Sequence, residues 1–250
     1  MLALASLLIG GPLLSKSQID KIGDRLREGD IDADAIRALE AYRDEFTESY
    51  KYVERMFRDV LGHTVTGRPA KSTLAIIEKL RRQKTRLTQI QDIAGCRIVV
   101  GSVAEQNSLV EAAKVMLDEI SVDDKRDDPV HSYRAVHLII KQGGKLVEVQ
   151  VRTRFQHFWA EISEKMADTY GQEIKYGEGN EWALNILGRM SEHIRKMENL
   201  YLRSLKLERD ISGVFDRRAM KQAKKRAEEL QRAVRLEFYK LRELVRQIES

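Results

Sequence analysis

The stretch VEVQVR, residues 147–152, decides how this chain folds, because its side chains alternate strictly between apolar and polar. Successive side chains of a β-strand point to opposite faces, so the three valines share one face. Glu148, Gln150 and Arg152 then lie in a row on the other face. The pattern predicts a strand over 146–152, with its valines on the core and an acid, an amide and a base opposite them.

A second strand is predicted just upstream, over the apolar run 135–140. Gly143 and Gly144 separate the two runs, and paired glycines supply the positive φ angles that a tight hairpin turn requires. A third strand is predicted at 98–100, a β-branched run that Gly101 closes. These runs predict a small sheet built around one hairpin.

Most of the remaining sequence has helical spacing of its apolar residues. Helices are predicted over 15–27, 32–59, 71–84 and 106–117 and over almost everything from Phe155 onward, with 217–249 as one long basic helix. Ser17 is the predicted N-cap of the first helix, and 62–70 and 123–128 are predicted loops. Helices before, between and after a small sheet indicate an α+β fold.

The composition excludes several classes of protein. The chain has 250 residues, and its 42% hydrophobic content is enough to form a core, which excludes disorder throughout. A single cysteine, Cys96, excludes a disulfide scaffold and any thiolate-rich zinc or iron–sulfur site. With 33% charged residues and three prolines, the chain is typical of helix-rich cytoplasmic proteins.

The N-terminal stretch 1–14 is the only part of the sequence that resembles a membrane segment. It has no basic residue at its start, it is shorter than a bilayer span, and Gly10, Gly11 and Pro12 interrupt it. We therefore expect a disordered or loosely docked tail rather than a signal peptide, and no membrane association.

The net charge of +5 is concentrated in the last fifth of the chain. Residues 201–250 hold 14 Lys and Arg against 8 Asp and Glu. From its charge alone, this segment is interpreted as a solvated helix or a contact in a homo-oligomer, or as a surface that binds an anionic partner.

Two acidic residues and a basic segment are candidates for a phosphate site. Asp92 precedes a predicted strand and Glu148 lies within another, so two carboxylates from different strands, among basic side chains, suit Mg²⁺ beside a polyphosphate. The segment 68–82 begins a helix and is strongly basic, which suits phosphate oxygens, although no P-loop sequence is present. The alternatives are structural salt bridges for the carboxylates and a solvated face for the helix.

These pieces, in this order, resemble the synthetase domain of the RelA/SpoT family of alarmone synthetases. The matching segments are RPAKS at 68–72 with IIEK at 76–79, DIAGCR at 92–97, YRAVH at 133–137, and VEVQVRT at 147–153 followed by FWA at 158–160. The resemblance implies a small mixed, nucleotidyltransferase-like sheet flanked by helices. The predicted organisation is an N-terminal tail and helix (1–39), a synthetase domain (40–205) and a basic helical extension (206–250).

The resemblance implies a pyrophosphokinase that transfers the β,γ-pyrophosphate of ATP to the 3′-hydroxyl of an acceptor and releases AMP. It places Asp92 and Glu148 at a Mg²⁺ site, with Glu148 also orienting or deprotonating the acceptor hydroxyl. It assigns ATP to five basic residues, of which the first and fourth sandwich the adenine: Arg68, Lys71, Lys79, Arg97 and Arg152.

For the acceptor, the resemblance implies that Tyr133 stacks on the base and that His137 and Gln150 support the site. From the residues alone, Tyr133 as an edge-packed aromatic and His137 as a core histidine remain open. GDP or GTP is the default acceptor. The chain also resembles the toxic small synthetases of toxin–antitoxin and phage-defence systems, which implies the 3′ CCA end of tRNA or adenosine nucleotides as alternative acceptors. With this resemblance, a surface that binds tRNA and a helix that binds an antitoxin protein are two further interpretations of the basic segment. An inactive relative that only binds nucleotide or a partner is the non-enzymatic alternative.

Overall fold

A computed structural model describes residues 14–211 and 217–249 of the chain. Its helices are α1 (Lys16–Glu28), α2 (Ala33–Asp44), α3 (Thr47–Arg55), α4 (Thr73–Gln83), α5 (Val103–Met116), α6 (Arg154–Tyr170), α7 (Glu181–Ile211) and α8 (Arg217–Glu249). Its strands are β1 (Val65–Arg68), β2 (Ala94–Val100), β3 (Ile120–Asp124), β4 (Val136–Gln142) and β5 (Lys145–Thr153). The predicted N-terminal tail lies, apart from Leu14, outside the described residues.

The strands form one five-stranded mixed sheet in the order β1-β2-β5-β4-β3, so the α+β prediction is confirmed. The predicted hairpin joins β4 to β5, and its turn residues Gly143 and Gly144 have φ angles of 55° and 78°. Two consecutive positive φ angles define a type I′ turn, whose twist matches that of the strands it joins. The hairpin therefore has the turn that its sequence predicts.

The central strand β5 has the two faces that alternation predicts. Val147, Val149 and Val151 are each 0% exposed, whereas Glu148 and Gln150 are partly exposed. Burying the three valines stabilises the fold by about 25 cal/mol for each Å² of apolar surface removed from water. A shift of the strand by one residue would expose them, so their burial fixes the register of the strand. The polar row is therefore held on the other face.

Two strands were missed for the same reason. β1 lies inside the loop predicted over 62–70, whereas β3 covers only the first two residues of the loop predicted over 123–128, and residues 125–128 form a loop as predicted. β1 buries only Val65, and β3 has no buried residue. Both are edge strands of the sheet. An exposed edge strand lacks the alternating apolar pattern by which strands are predicted from sequence.

The predicted helix over 32–59 is broken into α2, α3 and a π-helical segment, Met56–Val60. Packing at the break explains the difference, because the rings of Tyr42 and Phe46 meet edge to face at 5.3 Å and both are buried. The Lys145 ammonium lies 4.7 Å and 5.1 Å above these two rings and pairs with Glu45. No glycine or proline marks this break in the sequence.

The first helix lies within one residue of its predicted bounds, but its N-cap is not the predicted one. Its N-cap is Ser15 rather than Ser17, and the Ser15 side chain accepts a hydrogen bond from the backbone N–H of Gln18. The Gln18 side chain in turn accepts from the backbone of Ser15, which completes a capping box. Ser15 satisfies both halves of the motif because a glutamine stands three residues after it.

The chain forms two compact units. The first contains residues 14–96, 119–121 and 139–149, and the second contains 97–118, 122–138, 150–211 and 217–249. Within the second unit, α6, α7 and α8 enclose an apolar core that includes Trp159, Met190 and Leu241. The predicted basic helix over 217–249 is present as α8. No helix among the described residues has both the length and the apolar content needed to cross a bilayer.

Candidate functional site

In the first unit, Asp92 binds two lysines. Its Oδ2 lies 2.7 Å from the Nζ of Lys71, and its Oδ1 lies 2.7 Å from the Nζ of Lys79. All three side chains are largely shielded from solvent, with exposed fractions of 20%, 24% and 18%. The structure therefore gathers one acid and two bases that are up to 21 residues apart in sequence.

Local structure holds these three groups in place. Asp92 lies in the turn that leads into β2, and Lys71 precedes α4, whose N-cap is Ser72. The backbone N–H of Lys71 donates to the carbonyl of Ile93 at 2.6 Å, which ties the start of α4 to the entry of β2. Lys79 reaches the same carboxylate from further along α4.

The two lysines determine the charge state of Asp92. Burial by itself raises the pKa of the Asp92 carboxyl, but the charges and hydrogen bonds of Lys71 and Lys79 outweigh burial, and the pKa lies below its ordinary value. Asp92 is therefore ionised at neutral pH. A single carboxylate faces two ammonium groups, which makes the surroundings of Asp92 favourable for a phosphate.

The second predicted carboxylate, Glu148, lies on the strand next to β2. A Cβ atom placed on Gly95 would come within 3.0 Å of the Glu148 carbonyl oxygen and 3.7 Å of its Cβ. Gly95 and Glu148 are therefore opposite each other on paired strands, three residues along from Asp92. The absence of a side chain at Gly95 allows this close approach to Glu148, which is partly exposed.

In the second unit, the Tyr133 hydroxyl is the centre of a hydrogen-bond network. Arg152 donates to it from Nε at 3.2 Å and from Nη2 at 3.0 Å, and Arg152 Nη2 also donates to Gln150 Oε1 at 2.8 Å. The same hydroxyl lies 2.8 Å from His137 Nε2. Because the phenol oxygen accepts from Arg152, its own proton is available to His137.

This network unites four residues that were predicted separately. Arg152 and His137 are each 8% exposed, and the Arg152 guanidinium lies 5.1 Å from the centre of the Tyr133 ring. The three acceptor residues and one of the ATP residues therefore form one cluster. Of the two structural alternatives, Tyr133 is only partly buried, and His137 lies in the interior and is bonded to Tyr133.

A second guanidinium lies near Arg152. Burial and the positive charge of Arg152 lower the pKa of Arg97, and Arg97 Nη1 lies 3.4 Å from Nδ1 of His157 on α6. Two neighbouring guanidinium groups create a site that favours an anion. Sequence reasoning missed His157, since a lone histidine on an amphipathic helix carries no signal of such a contact.

Arg68 ends β1 and is exposed. It belongs to the first unit and Arg97 to the second, so the adenine sandwich stays a prediction. The first unit thus holds Arg68, Lys71, Lys79, Asp92 and Glu148, and the second holds Arg97, Tyr133, His137, Gln150 and Arg152.

The donor set of the first unit suits Mg²⁺ better than a transition metal. Among the described residues there is no group of three or more His, Cys, Asp or Glu side chains that encloses a metal. Mg²⁺ is commonly held by one or two carboxylates together with substrate phosphates and water, rather than by a cage of protein ligands. Asp92 lies in the turn before β2 between two lysines, and Glu148 lies on the neighbouring strand β5, so the first unit supplies two carboxylates of the kind that Mg²⁺ uses.

Comparison with known proteins agrees with these features. Residues 67–173 match the family described as "Region found in RelA / SpoT proteins". An uncharacterised protein of Mycobacterium tuberculosis is 42% identical over 118 residues, which cover 46% of this chain and 43% of that protein. GTP pyrophosphokinase YjbM of Bacillus subtilis is 35% identical over 128 residues, which cover 44% of this chain and 58% of YjbM.

The fold comparison covers more of the chain. The crystal structure of small alarmone synthetase 1 from Bacillus subtilis aligns with a TM-score of 0.52 and 25% identity, covering 72% of this chain and 99% of that one. The present chain spans about half the length of the curated relatives it matches. The matched region, residues 67–173, contains strands β2 to β5 and all the segments that carry the predicted site residues, and it is similar to the region found in RelA/SpoT proteins.

Proposed function

We propose that this chain is an ATP-dependent pyrophosphokinase that transfers the β,γ-pyrophosphate of ATP to the 3′-hydroxyl of a nucleotide. The observation that carries the proposal is the Asp92 carboxylate held between Lys71 and Lys79, at the entry of the strand that pairs with Glu148. The match to the RelA/SpoT region and the likeness to GTP pyrophosphokinase YjbM support it.

In this proposal the acceptor 3′-oxygen attacks the β-phosphorus of ATP. A bond forms between these two atoms, the bond from the β-phosphorus to the oxygen it shares with the α-phosphorus breaks, and AMP leaves with that oxygen. Glu148 accepts the hydroxyl proton, because a hydroxyl is a poor nucleophile until a base takes its proton. Bound at Asp92 and Glu148, Mg²⁺ supplies charge neutralisation at the polyphosphate.

The lysines and arginines have distinct tasks. Lys71 and Lys79 are shielded, fixed cations, and fixed cations stabilise the charge that spreads over transferring phosphoryl oxygens. Arg152 and Arg97 supply further positive charge in the second unit. Arg68 stacks with Arg97 on the adenine. Each cation is assigned to ATP.

The acceptor is assigned to the Tyr133 cluster, with GDP or GTP as the default. The Tyr133 ring is partly exposed, which leaves a face for stacking on a base, while its hydroxyl is held by Arg152 and His137. Gln150 completes the polar surroundings through its bond to Arg152. The products are then the guanosine tetra- and pentaphosphates.

The second candidate function is transfer of the pyrophosphate to RNA, and α8 favours it. Residues 217–226 contain six Lys and Arg and no acidic residue, and Lys221, Lys224, Lys225 and Arg226 are exposed. Clustered cations that neutralise successive phosphates are the main source of affinity for nucleic acids. In this alternative the acceptor is the 3′ CCA end of tRNA, and the protein acts as a toxin neutralised by an antitoxin protein.

An acceptor panel tests the proposal and separates the candidates. The protein is incubated with Mg²⁺ and ATP labelled at the β- or γ-phosphate, and separately with GDP, GTP, ATP and deacylated tRNA. Label in guanosine nucleotides supports the first candidate, and label in tRNA supports the second. Label in none of these acceptors refutes pyrophosphate transfer and leaves the non-enzymatic alternative.

The variant Glu148→Gln tests the catalytic carboxylate. The change is nearly isosteric, so we expect transfer to fall by at least about a hundredfold while the thermal unfolding temperature stays within a few degrees. Glu119→Gln is the matched control, because Glu119 is exposed and pairs with Lys141 at the surface. Wild-type activity in Glu148→Gln shows that another group takes the proton.

A further inference from the structure

The second unit contains a cavity that the proposed reaction does not use. It has a volume of about 300 Å³ and lies between the start of α5, the start of α6, α7 and α8. Its walls are mainly apolar and aromatic, and include Val103, Phe155, Met197, Leu202, Leu205 and Phe238. This size and lining are typical of small-molecule sites, in which an apolar pocket carries a few placed polar groups.

One carboxylate interrupts the apolar wall. Glu198 of α7 lines the cavity, and it accepts hydrogen bonds from the Thr153 hydroxyl and from Gln156 Nε2, the latter at 3.1 Å and 3.3 Å. Both donors are neutral groups. In the described part of the chain no lysine or arginine forms an ion pair with Glu198, although Arg126 and Arg134 act on it at longer range.

The position of Glu198 disfavours its ionised form. Burial raises the pKa of the Glu198 carboxyl. The hydrogen bonds from Thr153 and Gln156 therefore do not fully compensate for the hydration that the carboxylate loses on burial. A positively charged group entering the cavity supplies the missing counter-charge. A neutral group supplies only a hydrogen bond, and an anion is repelled.

The mouth of the cavity indicates the shape of the ligand. Tyr201 and Phe238 line it and are 46% and 50% exposed, so two aromatic side chains face solvent at its edge. Aromatic faces stack on flat rings and attract cations. Arg235 also lines the cavity and is exposed, so its long side chain can extend into water.

We propose that this cavity binds a small aromatic amine, with the ring between the apolar walls and the protonated amine on the Glu198 carboxylate. The site lies wholly within the second unit and is independent of the proposed reaction. Because Thr153 both touches Glu198 and follows Arg152, an occupied cavity adjoins the strand that carries the Tyr133 network.

A matched series of indoles tests the proposal by calorimetry on the full chain. Tryptamine is cationic, tryptophol is its neutral counterpart and indole-3-propionate is its anionic counterpart. We expect tryptamine to bind about tenfold more tightly than tryptophol, and indole-3-propionate to bind most weakly, since a hydrogen bond to a charged group is worth about 1.5–3 kcal/mol. Equal binding of all three, stronger binding of the anion, or no binding refutes the proposal.

Two variants and a control locate the binding. Glu198→Gln should remove the preference for tryptamine over tryptophol and leave tryptophol binding unchanged. Ala104→Trp should abolish binding of the whole series, because Ala104 lines the cavity at the start of α5. Glu192→Gln changes a surface carboxylate of α7 that pairs with Arg195, and it should bind like the wild type.

If Ala104→Trp unfolds, Glu198→Gln still decides the question. A tryptamine preference that survives in Glu198→Gln, or that disappears in Glu192→Gln, shows that the amine binds elsewhere. Circular dichroism and thermal unfolding of each variant establish that the fold is intact before binding is compared.

Discussion

The hydroxyl of Tyr133 allows two roles of one residue to be separated by removing a single oxygen atom. Tyr133→Phe keeps the ring and deletes the acceptor that Arg152 uses at 3.0 Å and 3.2 Å and the group that meets His137 at 2.8 Å. Arg152 keeps its bond to Gln150 at 2.8 Å. The variant therefore tests the network without disturbing any stacking on the ring.

The cost in stability follows from the burial of the two partners. Arg152 and His137 are each 8% exposed, so water has little access to the groups that lose their bonds. Leaving a buried donor or acceptor unsatisfied costs about 1–3 kcal/mol. Because Arg152 keeps one bond, we expect Tyr133→Phe to lower the free energy of unfolding by about 2 kcal/mol, measured by urea denaturation.

Tyr133→Phe should affect the kinetic constants for ATP, the pyrophosphate donor, more than those for the acceptor. If Arg152 binds ATP, its loss of orientation lowers kcat/KM for ATP by about tenfold or more, because small displacements of a positioned group are costly. The acceptor KM should change little, since the ring remains. Tyr133→Leu removes the ring as well and should raise the acceptor KM.

A matched control and a clear negative result complete the test. Tyr239→Phe removes the hydroxyl of a tyrosine that is 55% exposed. Its free energy of unfolding should lie within about 0.5 kcal/mol of the wild-type value. If Tyr133→Phe is as stable as that control, the network does not hold Arg152. If its acceptor KM rises as much as in Tyr133→Leu, the hydroxyl rather than the ring binds the acceptor.

Three further predictions concern residues around the two clusters. Gly67→Ala should lower the free energy of unfolding by about 2–3 kcal/mol, because the new Cβ would lie 2.6 Å from the backbone of Cys96 on β2; thermal denaturation checks this. Burial and the charges of Glu54 and Glu148 raise the pKa of the Cys96 thiol to about 12, so a thiol reagent at pH 8 should label the protein only after denaturation. Burial lowers the pKa of His157, so protonation favours the unfolded chain, and stability should fall more steeply below pH 6.5 in the wild type than in His157→Gln.

The parts of the fold that the sequence predicts are those with a periodic burial pattern. β5 alternates strictly and its turn has two glycines, so both the strand and the hairpin were predictable. β1 and β3 bury at most one residue each, and their strand conformation depends on pairing with a neighbour at the edge of the sheet. That pairing is a tertiary interaction, and no local signal reports it.

The candidate site also has parts that the sequence predicts and parts that depend on tertiary packing. The resemblance assigned Tyr133, His137 and Gln150 to the acceptor and Arg152 to ATP, and in the structure the four side chains form one network. The contact between Arg97 and His157 depends on how α6 packs beside β2, and spacing along the chain does not reveal it. The roles of all these residues stay predictions until the variants are measured.

The basic segment 68–82, which leads into α4 and runs along it, shows why charge alone is a weak guide to function. Arg81 and Arg82 are exposed at the end of the helix, as a solvated face requires, whereas Lys71 and Lys79 turn inward to Asp92. The backbone bond from Lys71 to Ile93, not the spacing of the lysines, brings both to one carboxylate.

Asp92 offers one negative charge to two shielded positive charges. Desolvating a cation without a counter-charge is costly, so this arrangement is most stable when an anion joins it. A phosphate group beside Lys71 and Lys79 meets that need, and a solvated basic helix face does not create it. The partial burial of the lysines is therefore a stronger argument for a phosphate ligand than the number of basic residues in the segment.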